Sequence, residues 1–72
     1  MDLRHLKHFI VLAETLHFGR ASDLCHISVS AFSRGIRQLE DTLGTELFLR
    51  DNRSVALTHE GSLFLDLSLI HI

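Results

Sequence analysis

Residues 28–44, SVSAFSRGIRQLEDTLG, leave this chain little choice of fold, because Val29, Phe32, Ile36, Leu39 and Leu43 recur at spacings of three and four. On a helix of 3.6 residues per turn that spacing makes one apolar stripe, which has to face a core. Over residues 28–40 the opposite side carries Ser30, Ser33, Arg34 and Arg37 and no acid. Short hydroxyls beside guanidinium forks form a donor set suited to base edges and phosphates. Ser28 or Ser30 is the expected N-cap, and Gly44 the expected stop.

The segments on either side extend the pattern. Leu3, Leu6, Phe9, Ile10, Ala13 and Leu16 mark one face of a first helix, with Asp2 as its N-cap. His17, Phe18 and Gly19 interrupt it, Gly19 supplying a cap or tight turn. A short second helix is expected from residue 20 to about 26, burying Ala21, Leu24 and Cys25. Two helices joined by a short turn, the second displaying hydroxyls and arginines, make a helix-turn-helix pattern. After Gly44 the period changes to that of a small hairpin. Leu47, Phe48 and Leu49 form a strand-like run, Asp51, Asn52 and Arg53 carry turn chemistry, and Val55 and Leu57 alternate with Ser54, Ala56 and Thr58. A hairpin in that place is a wing, with Arg50 and Arg53 at its edges. Thr58 can cap a fourth helix that starts near His59 and carries Leu63, Phe64 and Leu67.

Seventy-two residues make at most one small domain, marginal on burial alone, so the chain is expected to belong to something larger or to an oligomer. Seven Lys and Arg against nine Asp and Glu leave a net charge of −2, which taken alone argues against a nucleic-acid partner. The distribution answers that objection. In residues 1–27 Arg4, Lys7 and Arg20 balance Asp2, Glu14 and Asp23; in residues 28–58 Arg34, Arg37, Arg50 and Arg53 balance Glu40, Asp41, Glu46 and Asp51. The deficit lies in Glu60 and Asp66, so what matters is which face the four arginines share. The single Cys25 rules out an internal disulfide and fits a reducing cytosol. No apolar run is long enough for a secretory signal or a membrane span, so a soluble cytoplasmic protein is expected.

The series Phe18, Ala21, Ser28, Ser33, Arg34, Ile36, Leu39, Glu40, Leu43, Gly44, Leu47, Phe48, Arg50, Arg53, Val55, Leu57, Thr58 and Gly61 resembles the DNA-binding domain of LysR-type transcriptional regulators. The likeness covers about residues 1–65 in order and without gaps. It implies a mainly α, winged helix-turn-helix fold: three helices, a small β-hairpin wing, then the start of a linker helix. By position, it places groove contacts at Ser28, Val29, Ser30, Ser33 and Arg34 and wing contacts at Arg50 and Arg53. Arg37 joins them unless it pairs instead with Asp41 at i,i+4. The family commonly has Gln-Pro or Pro-Ser where this chain has Val29 and Ser30, and Gln where it has Gly35. Val29 offers only apolar contact, for example to a thymine methyl. The implied partners are double-stranded DNA, a second subunit through the fourth helix of the full-length protein, and a small-molecule effector confined to a sensor domain missing here. No membrane partner is implied.

No catalytic constellation stands out, and no enzyme activity or cofactor is expected. His5 with His8 is only a metal half-site, and adjacent Cys25 and His26 point to different helix faces, so no metal is expected either. The tail LSLIHI, residues 67–72, leaves the last eleven residues with seven apolar members and no polar face. It is also the translation of CTG TCT CTT ATA CAC ATC, the start of a transposon-type sequencing adapter, and is expected to be adapter sequence, the alternative being a natural truncation. The domain division is therefore 1–58 for the winged helix-turn-helix and 59–72 for a truncated linker or dimerisation helix. The competing reading is a small helical protein-interaction module that uses the apolar tail and leaves the arginine face idle.

Overall fold

The computed structural model describes residues 2–51 and 54–70. Four helices and one hairpin follow in the order α1 (Leu3–Thr15), α2 (Phe18–Leu24), α3 (Val29–Leu43), β1 (Phe48–Arg50), β2 (Val55–Leu57) and α4 (His59–Ile70). Each helix begins on a side-chain acceptor that satisfies an otherwise orphaned amide. Asp2 accepts from the Arg4 amide at 2.9 Å, the Ser28 hydroxyl from Ala31 at 3.1 Å, and the Thr58 hydroxyl from Gly61 at 2.9 Å. Gly44 ends α3 at φ 72°, the left-handed conformation that glycine adopts without penalty.

The break after α1 is shorter than the expected stretch of His17, Phe18 and Gly19: it comprises Leu16 and His17. Leu16 takes the left-handed conformation at φ 52° and closes α1, while the His17 ring, through Nδ1, caps α2 by accepting from Arg20 at 3.0 Å. Gly19 therefore lies inside α2, which starts two residues earlier and stops two residues sooner than its apolar spacing suggests. His26, at φ 60°, makes the turn between α2 and α3.

The core forms where α1, α2 and α3 meet: Phe9, Leu12, Ala21, Phe32, Ile36 and Leu39 are buried, and Leu47 and Phe48 join them from the hairpin side. All five phenylalanines take part. Phe9 packs edge-on against Phe64 with ring centres 5.0 Å apart and against Phe48 at 5.5 Å, while Phe18 meets Phe32 at 6.1 Å. Such aromatic pairs tie α4 and the hairpin to the helical core. The ends of the apolar stripes fare differently. Leu3, Leu16, Leu24, Leu43, Leu63 and Leu67 are exposed and Cys25 is only half-buried, because the neighbouring elements do not reach that far.

In the hairpin Phe48, Leu49 and Arg50 face Leu57, Ala56 and Val55 in antiparallel register. Leu47, expected to open the strand, precedes it and is fully buried. The tip closes through Asp51, whose carboxylate accepts from the Ser54 amide at 2.7 Å. Asn52 and Arg53, to which turn chemistry and a wing contact were assigned, lie outside the described residues.

Two glycines in helices differ in kind. A Cβ at Gly61 would overlap the Leu47 carbonyl, whereas one at Gly35 would meet only the His5 ring at ordinary contact, 3.5 Å. Gly61→Ala is expected to destabilise the domain by about 1–3 kcal/mol, the usual cost of overpacking. Gly35→Ala should stabilise it by about 0.5–1 kcal/mol through helix propensity. Urea unfolding of the two variants checks the opposite signs.

Candidate nucleic-acid interface

Helix α3 owes its position to its buried side. With Phe32, Ile36 and Leu39 locked in the core, the opposite side has to point outward, and Ser28, Val29, Ser30, Arg34 and Arg37 are all exposed. Ser33 is half-buried on the flank nearer the hairpin. The first turn of α3 carries no acid, so its positive dipole end is left uncompensated and is attractive to an anion. Ser28 is partly committed, since its hydroxyl is the N-cap. Among the described residues no ion pair joins Arg34 or Arg37 to any acid, and Asp41 does not take up Arg37.

Arg50 is placed differently from the α3 arginines. Its guanidinium lies 2.8 Å from a carboxylate oxygen of Glu40 and 5.2 Å from the centre of the Phe18 ring, leaving the side chain about 26% exposed. The other oxygen of Glu40 accepts from the Leu47 amide at 2.7 Å and the Phe48 amide at 3.2 Å. One buried carboxylate thus joins α3 to the start of the wing and orients the arginine beside it. Sequence reasoning counted Glu40 among the family-like residues without giving it a role. The available signal was an acid at the edge of an apolar stripe, followed ten residues later by an arginine.

Histidines and the cysteine gather at the other flank of α3. Burial, helped by the nearby positive charges of His5, Lys7 and Arg4, holds the His8 imidazole below its ordinary pKa, and its ring lies against Phe32 at 5.2 Å. Burial likewise raises the Cys25 thiol, with Lys7 opposing it, so the thiol stays protonated and unreactive at neutral pH. Among the described residues no three His, Cys, Asp or Glu side chains converge as metal ligands would. Nor is any helix long and apolar enough to cross a membrane.

A helix pair with an outward third helix and a hairpin beside it has close counterparts. The family model described as bacterial regulatory helix-turn-helix protein, lysR family, matches residues 3–62. The chain belongs to the LysR family. The transcriptional activator IlvY of Salmonella typhimurium is 56% identical over 61 residues, which is 85% of this chain and 21% of that protein. The regulator CatR of Pseudomonas putida is 53% identical over 68 residues, 94% of this chain and 23% of its own. Among solved structures, a BenM DNA-binding domain in complex with catB site 1 DNA superposes with a TM-score of 0.93 at 37% identity, over 99% of this chain and 79% of that one. A CbnR DNA-binding domain complexed with DNA gives 0.93 at 34% identity, over 99% and 82%. The LysR-type winged helix-turn-helix expected from the sequence is thus the observed fold. The chain spans about a fifth of the length of the curated relatives it matches.

In this LysR domain the placement of the wing hangs on Glu40. Glu40→Ala is expected to cost about 1–3 kcal/mol, because it leaves the buried Leu47 and Phe48 amides without their acceptor and takes the carboxylate away from the partly exposed Arg50 guanidinium. Chemical denaturation measures the loss, and a variant as stable as the parent would remove the carboxylate from that role.

Proposed function

We propose that this domain binds double-stranded DNA sequence-specifically as the DNA-reading part of a transcriptional regulator. The observation that carries the reading is the outward side of α3, where Ser30, Arg34 and Arg37 are exposed and no acid occurs before Asp41 near its C-terminal end. The N-terminal half of α3 enters the major groove, and Arg34 forks onto a guanine edge or clamps a phosphate. Ser28, Ser30 and Ser33 supply hydroxyls to bases or phosphates, Val29 an apolar contact, and Arg37 a second cation one turn on from Arg34. The wing lies over the adjacent backbone, with Arg53 reaching a phosphate and Arg50 offering whatever donors its Glu40 contact leaves over. Residues 1–58 form the reading head and residues 59–66 the start of a helix that pairs two subunits, with Leu67 onward foreign to it. Sensing of a small molecule belongs to the remainder of the full-length protein, which works in the cytoplasm and has no catalytic step. The strings HFGRAS and RDNR look most like the activator of the isoleucine-valine pathway reductoisomerase gene, which makes that promoter the first duplex to try.

The test is selection from a randomised duplex pool followed by a salt titration on the selected sequence. A LysR-type reading head gives a defined sequence and an affinity that falls steeply as salt rises. A protein-interaction module that uses the exposed leucines of α4 gives neither. On the selected duplex Arg34→Ala is expected to weaken binding by about 1–3 kcal/mol and to relax preference at one base pair. Equal losses on selected and random DNA would make Arg34 a phosphate clamp instead.

Pairing of two subunits depends on α4, whose Leu63 and Leu67 are more than half exposed. Two or three leucine side chains fall short of the roughly 1,000 Å² that a specific interface needs. Residues 1–72 are therefore expected to sediment mainly as monomer or as a heterogeneous mixture at micromolar concentration. A tight, single dimer would show the interface to be complete already.

A further inference from the structure

The flank of α3 that faces away from the hairpin borders a second cationic feature. An open groove of about 520 Å³ runs between the start of α1, the turn after α2 and the middle of α3. Arg4, Lys7, His8, His26, Arg34 and Gln38 line it, and no aspartate or glutamate does. In a chain with a net charge of −2, an acid-free wall of this kind is a local concentration of positive potential. Arg4 is held by Asp2 at 3.1 Å, but among the described residues Lys7 and Arg34 enter no ion pair. Gly35 is part of the lining, and a Cβ there would lie in ordinary contact with the His5 ring at 3.5 Å.

We propose that this groove takes backbone phosphates of the DNA strand bordering the major groove that α3 enters, with Lys7 as its principal contact. This rests on the reading of α3 as the DNA-reading helix. Three observations favour a strand over a free anion. Arg34 belongs both to the outward side of α3 and to the rim of the groove, so a duplex against that side necessarily passes the rim. The groove is open to solvent, which gives an isolated small anion little desolvated contact but leaves a continuous backbone room to run along it. Its donors are ammonium, guanidinium, imidazole and amide groups, which suit phosphate oxygens and need no particular base. The helix-turn-helix thus grips one strand from the α1 side while the wing lies over the other edge.

The experiment compares the 72-residue chain with Lys7→Gln and Lys7→Arg on the selected duplex, reading affinity from 50 to 200 mM salt. Lys7 is exposed, so both variants should fold, and Arg4→Gln provides an independent removal of charge at the same wall. Losing one phosphate contact lowers the salt slope by about one unit, so the affinity lost across that range shrinks about 3.5-fold. Lys7→Gln is expected to do this without changing base preference, and Lys7→Arg to restore the parent slope. An unchanged slope in both Lys7→Gln and Arg4→Gln overturns the assignment while leaving α3 as the reader, provided the parent binds. A change of base preference in Lys7→Gln also overturns it, since Lys7 would then be reading a base. A parent chain that selects no duplex removes the reading of α3 and the groove assignment together.

Discussion

The carboxylate of Glu40 is the contact on which the geometry of the proposed reading surface depends. It is buried at the inner edge of α3 and bonds at once to two backbone amides of the wing and to the Arg50 guanidinium. A charge in such a place is tolerated only when its oxygens are all occupied, and here they are. Core packing of Leu47 and Phe48 seats the base of the hairpin against the helices. The carboxylate adds a polar tie from that base to α3, and the stacking of Arg50 on Phe18 extends it to α2.

Much of this was legible in the sequence. Helix α3 was plain because a 3.6-residue apolar period, a serine at one end and a glycine at the other agree, and local signals that agree are the ones tertiary structure seldom overrides. The capping of α4 by Thr58 was legible for the same reason. The start of α2 was not. A histidine ring as N-cap carries little compositional mark, and Gly19 drew Phe18 and itself into a break that ends at His17. Periodicity also names the side of a helix that faces a core without saying how far the core extends, which is why Leu24 and Leu43 were expected inside and are found exposed.

The candidate site divides along the same line. The α3 residues could be read because they lie on one helix, where spacing alone groups them. Arg50 looked like a free surface cation because its partner is ten residues away and meets it only once the hairpin has folded. The groove beside α1 was invisible for a stronger reason: its lining comes from α1, the turn after α2 and α3, which only the folded chain brings together.

The Leu47 carbonyl has a mechanical consequence. It accepts the Thr58 amide at 3.0 Å and leaves no room for a Cβ on Gly61, while the Thr58 hydroxyl donates to the Glu46 carbonyl at 2.7 Å. The base of the hairpin and the first turn of α4 are therefore a single stiff joint, and the twelve residues of α4 are the lever that leaves it. At 1.5 Å rise per residue such a lever is about 18 Å long, so a tilt of about 5° at the joint displaces its far end by about 1.5 Å. Torque applied along α4 arrives at the wing rather than being lost in a flexible hinge.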